Sequence, residues 1–351
     1  MTTINIHNTD FQLNGKPTYE GRFHQGRRIE GLLFNSRMVQ AIFDDENPKT
    51  RINWVYPDTK VWNPDRNTNE FCQSLPLYHQ RGLLAVTIGL QGGGPFFSPP
   101  IYHQYINSAF EWDGSLKTQY LDRLYQVLST ADQIGMVVIL NYFYWQQSRR
   151  FRDERAVRRA TREATNWILE HGFQNVLVDL NNEVQRGPGQ LESDRIHELI
   201  EIVQNTHYKG RKLLVGTSIH PSDPFPPGKW SQVVDFFIPH GNNSPGEKLR
   251  AEIRALKNTD TYRNKPRPIL INEDSIDIPN LDIAVDEGAS WGFYSQGFGS
   301  KYRDYRWDWT FHDREESFEK LSGYQTPPIN WGINTDFKKM FFNRVKTITG
   351  K

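Results

Sequence analysis

Two glutamates follow apolar runs that are typical of buried β-strands. Glu183 comes near the end of NVLVDLNNEV, residues 175–184, where aliphatic residues give way to two asparagines. Glu273 follows RPILIN in the same manner, with an asparagine directly before it. A carboxyl group can donate a proton, and a carboxylate can attack a carbon or activate water. Two such groups facing one pocket could therefore perform acid–base and nucleophilic chemistry together.

The elements that must position these glutamates recur regularly along the chain. Apolar strand patterns end near Asn35, Gln91, Asn141, Glu183, His220, His240, Glu273 and Gln296. Helical patterns, with apolar residues at three- and four-residue steps, occupy 113–135, 153–172, 192–210, 245–259 and 336–348. Strands that alternate with helices indicate a parallel sheet. Eight such units predict a closed (β/α)8 barrel, and the alternative is an open doubly wound sheet.

The N-terminal segment precedes this repeat. Asn-Gly in FQLNGKPTY lies between two extended runs and predicts a β-hairpin. We assign residues 1–27 to this hairpin and its lead-in, and residues 1–351 to one catalytic barrel domain. Long loops, including 46–66, are expected on the C-terminal face of the barrel.

The barrel would bring the two glutamates together. Glu183 and Glu273 are 90 residues apart, which is three units at roughly 30 residues each. They would then end the fourth and seventh strands, at the face where barrels carry their active sites. Two carboxyl groups across such a mouth are what glycoside hydrolysis requires. The charge of Glu273 and partial burial are expected to raise the pKa of Glu183, so that it can act as the acid.

The motifs NNE on strand four, PHGNN on strand six and INE on strand seven resemble those of the clan A glycoside hydrolases. That superfamily of (β/α)8 barrels includes cellulases, mannanases and β-galactosidases, and it retains anomeric configuration. The resemblance implies that Glu183 is the acid/base and Glu273 the nucleophile. It also implies that Asn182 binds the sugar 2-hydroxyl and that His240 lies close to the nucleophile.

Further substrate-binding residues follow from the same resemblance, with some departures from its pattern. Arg37 matches an early arginine, and either Trp291 or Tyr294 matches an aromatic residue on strand eight. Val184 stands where the clan often has proline, and Asn141 where it often has histidine. Asn141 and Tyr142 end strand three and either line the site or cap the strand.

Other interpretations of these residues compete with the catalytic one. His240 alone could be a core histidine. His220, His240 and Glu273 could be imagined as metal ligands, but no zinc-like spacing joins them, and we predict no metal and no cofactor. The aromatic segment 304–313 is either a lid that stacks on sugar rings or a local core.

Composition limits the partners. The net charge is +1, with 42 basic and 41 acidic residues among 351, which argues against nucleic acid or an acidic membrane surface. One cysteine excludes an internal disulfide. No run approaches the ~18 apolar residues of a membrane span. The N-terminus lacks a signal-peptide pattern, which favours the cytoplasm unless a leader has been removed. We leave the oligomeric state open.

Three functions remain after these exclusions. The first is a retaining β-glycosidase acting on an oligo- or polysaccharide. The second is a carbohydrate-binding barrel without catalysis, because a fold does not imply an activity. The third is another barrel enzyme, such as a metal-dependent hydrolase or an aldolase. An aldolase would need a lysine at a strand end, and none of the eight ends carries one.

Overall fold

A ring of parallel strands forms the centre of the fold. The computed structural model describes residues 1–93, 104–221, 228–296, 318–321 and 323–351. In chain order the ring contains Asn35–Arg37, Ala85–Gly89, Val137–Phe143, Val176–Asn181, Leu214–Gly216 with its continuation Ser218–Ile219, Ile238–Pro239 and, last, Gly292–Phe293. The seventh position, between the last two, is held by Ile269 and Leu270.

Pairing runs around the whole ring. The first five strands pair in parallel with their sequence neighbours, and Ser218–Ile219 pairs with Ile238–Pro239. Parallel bridges join Phe237 to Ile269 and Leu270 to Ser290. The register Gly292 to Asn35 then joins the eighth strand to the first. The predicted (β/α)8 barrel is confirmed.

Alternation along the strands separates two apolar layers. In the third strand, Val137 and Ile139 pack inside the barrel, whereas Val138 and Leu140 pack against the helices. All seven residues of that strand are buried, as expected for a parallel strand covered on both faces. The strand sequences are therefore mostly apolar, and polar residues become frequent toward their ends, where the packed interior stops.

Helices cover the outside of the ring. The α-helices are Pro48–Arg51, Pro64–Gln80, Thr118–Ile134, Trp145–Ser148, Glu154–Glu170, Ile196–Asn205, Trp230–Val233, Gly246–Lys257, Asp260–Asn264, Ile278–Asp286 and Asp336–Thr349, and the 3₁₀ turns are Ile52–Trp54, Val184–Arg186, Ser193–Arg195 and Phe318–Lys320. Thr118–Ile134 ends at Gly135, whose φ of 80° gives the left-handed cap that glycine favours. Asp153 caps Glu154–Glu170 by accepting from the Ala156 N–H.

The predicted hairpin closes the amino-terminal end of the barrel. Asp10–Leu13 pairs with Lys16–Pro17 across Asn14-Gly15, and Ile4–His7 adds a third strand. Both turn residues have positive φ, 52° and 82°, as a two-residue type I′ turn requires. Phe11 and Ile4 join the apolar cluster inside the barrel. The hairpin therefore supplies part of the barrel core.

Two of the longer helices, each of nine residues or more, were not predicted. Pro64–Gln80 begins where the long loop was expected to end. Its sequence is largely polar and contains Pro76, and both features weaken the helical pattern. Ile278–Asp286, which follows the seventh strand, is only nine residues long. The aromatic segment 304–313 lies outside the described residues. The assignment of 1–351 to one domain stays a prediction. In the part of the chain that is described, no helix has the length and apolar character needed to span a bilayer.

Candidate active site

A cavity of about 480 Å³ opens at the carboxyl ends of the barrel strands. Its walls come from residues that follow the apolar part of several strands and from loops nearby. They are Arg37, Gly93, Tyr144, Trp145, Asn182, Glu183, Arg186, His220, Asn242, Asn243, Glu273, Tyr294, Gln296 and Gln325. Both glutamates singled out in the sequence therefore face one cavity.

Glu183 is held by donors from three directions. Its Oε1 accepts from Asn242 Nδ2 at 2.9 Å and lies 3.4 Å from His240 Nδ1. Its Oε2 accepts from Arg186 Nε at 2.9 Å. The backbone at Glu183 has a φ of 62°, and its N–H donates to Ser218 Oγ at 3.1 Å. This left-handed residue turns the chain sharply out of the fourth strand and directs the carboxylate over the cavity.

Glu273 is paired with a buried arginine. Arg37 Nη2 lies 2.9 Å from Glu273 Oε2, and the Arg37 side chain is only 2% exposed. The same Nη2 donates to Asn182 Oδ1 at 2.6 Å, and the guanidinium lies 5.4 Å from the ring centre of Tyr294. Arg37 thus links residues from strands one, four, seven and eight around one charge.

The backbone of Glu273 is also fixed. Its carbonyl accepts from the Gly241 N–H at 2.8 Å. A Cβ at position 241 would lie 1.8 Å from Asp274 Oδ1, so only glycine allows this close approach of strands six and seven. Asp274 Oδ2 accepts from Trp291 Nε1 at 2.8 Å and from Asn280 Nδ2 at 2.9 Å. Glu273 is therefore supported from behind by a buried polar cluster.

His240 bridges the two carboxylates. Its Nδ1 lies 3.4 Å from Glu183 Oε1 and 3.4 Å from Glu273 Oε2, and its side chain is fully buried. Burial disfavours the charged imidazolium, but the charges of Glu273 and Glu183 outweigh it and raise the pKa of His240. His240 therefore lies under both carboxylates and links them electrostatically.

The expected rise in the pKa of Glu183 is not what the structure gives. Burial raises that pKa, but His240, His220 and Asn242 more than offset burial and hold it well below its usual range. The expected rise took account only of Glu273 and burial, whereas imidazole and amide groups also surround Glu183 in three dimensions. In this state of the site Glu183 is a carboxylate.

The same three side chains are the candidate metal ligands in the described part of the chain. One ligand atom each from Glu183, His240 and Glu273 lie within 4.8 Å of one another. Two carboxylates and an imidazole suit a divalent cation in kind. However, Arg37 and Arg186 lie 2.9 Å from the two carboxylates and already balance their charge. These arginines would oppose a divalent ion, and we assign no metal to the cluster.

Five of the predicted site residues line the cavity, namely Glu183, Glu273, Asn182, Arg37 and Tyr294. His240 lies beneath the cavity, in contact with both carboxylates. Of the two aromatic candidates on strand eight, Tyr294 lines the cavity and Trp291 does not. Trp291 is buried, and its ring packs at 6.0 Å from that of Phe341.

Asn141 and Tyr142, like Trp291, are not among the described residues that line the cavity. Asn141 is buried and its Nδ2 donates to the Asp179 carbonyl at 3.2 Å. Successive side chains of a strand point to opposite faces, and Tyr142 points outward, away from the barrel interior. Its hydroxyl lies 3.2 Å from Thr165 Oγ1 on helix Glu154–Glu170. Strand three continues through Phe143, so its first cavity residues come later than the sequence suggested.

Other cavity residues were missed. Tyr144 and Trp145 follow strand three, and Asn242 and Asn243 follow strand six, so the strand-end rule could have found all four. Arg186 is three residues beyond Glu183, within one 3₁₀ turn, a spacing that places it beside that carboxylate. Gln325 comes from a distant segment, and nothing in its local sequence indicates the cavity.

Together, the fold and the site define a (β/α)8 barrel with two carboxylates facing each other at the mouth. No family model matches the sequence, and no curated protein matches it. Solved structures are similar. They include a glycoside hydrolase family 5 mannosidase from Rhizomucor miehei (10% identity, covering 100% of this chain and 98% of that one, TM-score 0.55). They also include an endo-1,4-beta-mannanase from Eisenia fetida (12% identity, 90% and 95% covered, TM-score 0.54).

The structure of a broad-specificity endoglucanase from Clostridium longisporum is also similar, with 10% identity, 90% of this chain and 97% of that one covered, and a TM-score of 0.53. The resemblance expected from the motifs is therefore confirmed at the level of the fold. At such low identity the likeness establishes architecture, and the activity must be argued from the site.

Proposed function

We propose that this protein is a retaining β-glycoside hydrolase that acts on an oligo- or polysaccharide. The observation that carries the proposal is the opposed pair Glu183 and Glu273, whose nearer oxygens lie within 4.8 Å. Carboxyl groups about 5–5.5 Å apart suit attack by one of them on the sugar, whereas inverting enzymes need a wider gap that admits water. The proximity therefore favours double displacement.

Glu273 is the nucleophile in this proposal. Its carboxylate is paired with Arg37, whose guanidinium keeps its positive charge. It attacks the anomeric carbon while Glu183 gives its proton to the departing glycosidic oxygen. A glycosyl ester on Glu273 and a free alcohol result.

Glu183 then acts as the base. It takes a proton from a water molecule, whose oxygen attacks the anomeric carbon and releases Glu273. Asn182 is assigned to sugar binding, with its Oδ1 held by Arg37. Tyr294 supplies an aromatic wall beside the same arginine. The sugar released keeps the anomeric configuration of the substrate.

The test is a screen of aryl β-glycosides, followed by NMR analysis of the first-formed product anomer. A β-anomer formed first supports double displacement, and an α-anomer formed first refutes it. Turnover that survives a strong chelator would agree with the absence of a metal from the mechanism.

Carbohydrate binding without catalysis is the second candidate. The ion pair between Glu183 and Arg186 favours it, because a carboxylate held ionised is not a ready proton donor. The same screen separates the two functions. Saturable binding of an oligosaccharide, with no turnover of any β-glycoside, would support the binding protein.

A further inference from the structure

Arg186 occupies a distinctive place at the mouth of the cavity. It lies on the turn Val184–Arg186, and its Nε donates to Glu183 Oε2 at 2.9 Å. Its guanidinium carbon lies 5.1 Å from the ring centre of Trp145, which also lines the cavity. Its side chain is 44% exposed, against 2% for Arg37. Arg186 can therefore move and be reached by a ligand, whereas Arg37 is fixed.

The two arginines and the two carboxylates of the cavity balance in charge only while Glu183 is ionised. Arg37 pairs with Glu273, and Arg186 pairs with Glu183. His240 lies beneath both carboxylates, and although burial lowers its pKa, their charges outweigh burial and raise it. Glu183 must become neutral before it can donate a proton. At that moment Arg186 loses its carboxylate partner, and the described part of the site gains an uncompensated positive charge.

This excess charge opposes the reaction assigned to the site. The transition state of glycoside hydrolysis resembles an oxocarbenium ion and carries positive charge. A neutral sugar offers no anion to Arg186. A carboxylate or sulfate on the substrate would pair with its guanidinium, which presents donors in a planar fork suited to such oxyanions. The same anion would draw Arg186 away from Glu183 and allow that residue to take up a proton.

We propose that Arg186 is the specificity-determining residue of this site and that it selects glycans carrying an acidic group, a carboxylate or a sulfate, beside the scissile bond. The proposal rests on the proposed function for the role of Glu183. The recognition of the acidic group itself depends only on two features. Arg186 is exposed in the cavity, and it can exchange its ion pair with Glu183 for one with the ligand.

The experiment measures the binding of matched pairs of β-linked oligosaccharides to the full chain by calorimetry. One series compares uronic-acid oligosaccharides with the same molecules after carboxyl reduction, and the other compares sulfated oligosaccharides with their desulfated forms. At least one acidic member should bind 10-fold or more tightly than its neutral partner. The series in which this occurs identifies the acidic group as carboxylate or sulfate.

Three variants assign the preference. Arg186→Gln should remove it, and Arg186→Lys should retain part of it because the charge remains without the fork. Arg149→Gln is the matched control, since Arg149 lies 4.7 Å from the same Trp145 ring but does not line the cavity. It should leave the preference unchanged. Equal binding of every acidic and neutral pair, or a preference that survives in Arg186→Gln, would overturn the proposal.

Turnover of the same pairs separates this inference from the proposed function. Cleavage of acidic and neutral members at equal rates, with equal affinity, would leave the glycosidase standing and remove the role of Arg186. Tight binding of acidic members that requires Arg186, with no cleavage, would support the inference and refute the hydrolase.

Discussion

Replacing Glu273 by alanine should reduce the free energy of unfolding much more than replacing Glu183 by alanine. Glu273→Ala leaves Arg37 buried without its carboxylate, and an arginine cannot discard its charge. Breaking a buried ion pair by removing one partner typically costs about 3–5 kcal/mol. Asn182 Oδ1 still accepts from Arg37 at 2.6 Å, so we expect the lower end, about 3 kcal/mol.

Glu183→Ala should cost much less. Its partner Arg186 is 44% exposed and can return to water, and pairs of that kind contribute about 0–1 kcal/mol. The other neighbour, His240, has an imidazole ring that can be neutral. The two alanine variants should therefore differ by about 2 kcal/mol in their free energy of unfolding.

A small anion should repair Glu273→Ala in two ways. Azide or formate would occupy the space of the lost carboxylate, beside Arg37 and His240. An anion that binds only the folded state, at 100 times its dissociation constant, adds about 2.7 kcal/mol of stability. It should also replace the nucleophile and restore slow turnover of an activated β-glycoside, giving a product of inverted configuration.

The assay is urea unfolding of the wild type, Glu273→Ala and Glu183→Ala in sodium azide and in sodium chloride at equal ionic strength. Glu273→Gln controls for shape, because it keeps an oxygen acceptor near Arg37. Equal losses of stability in both alanine variants would refute the asymmetry derived from Arg37 and Arg186. Near-normal activity of Glu273→Ala on a confirmed substrate would refute its role as nucleophile.

Three further predictions concern other residues. Glu183→Ala should slow glycosides with poor leaving groups far more than dinitrophenyl glycosides, and azide should then give a glycosyl azide of retained configuration; an inverted azide would exchange the two catalytic roles. Burial raises the pKa of Asp274 to about 6 from 3.8, so its stabilising contribution is present at low pH and is lost as pH rises through about 6. The loss is worth about 3 kcal/mol at about 1.4 kcal/mol per unit, and Asp274→Asn should flatten this pH dependence in thermal melts between pH 4 and 8. Tyr142→Phe should leave kcat/KM unchanged and cost about 1 kcal/mol, because its hydroxyl contacts Thr165 on the outer layer; a substantial loss of kcat/KM would return Tyr142 to the site.

The strand ends could be predicted because burial constrains sequence strongly there. An apolar run that turns into Asn-Asn-Glu or Asn-Glu marks the point where a packed strand meets the cavity, as at Glu183 and Glu273. Their pairing followed from the repeat length alone. The N-terminal hairpin was equally local, since Asn14 and Gly15 carry the turn themselves.

What failed depended on contacts between distant segments. Whether Trp291 or Tyr294 faces the cavity is decided by where strand eight ends and by Asp274, which accepts the Trp291 N–H. Strand three extends through Phe143, and this extension moved Asn141 and Tyr142 out of the site. The protonation of Glu183 depends on Asn242 and His240, which join it only in three dimensions.

The left-handed backbone at Glu183 has an evolutionary consequence. Any residue other than glycine at a φ of 62° carries a conformational cost of about 1–3 kcal/mol. Selection for an active Glu183 would maintain that cost, but selection for stability alone would not. In a duplicated copy released from its activity, glycine or asparagine at this position would be favoured, because both adopt this conformation more readily. The residue found at position 183 in a diverged copy would therefore record whether the copy is still selected for the chemistry of this carboxylate.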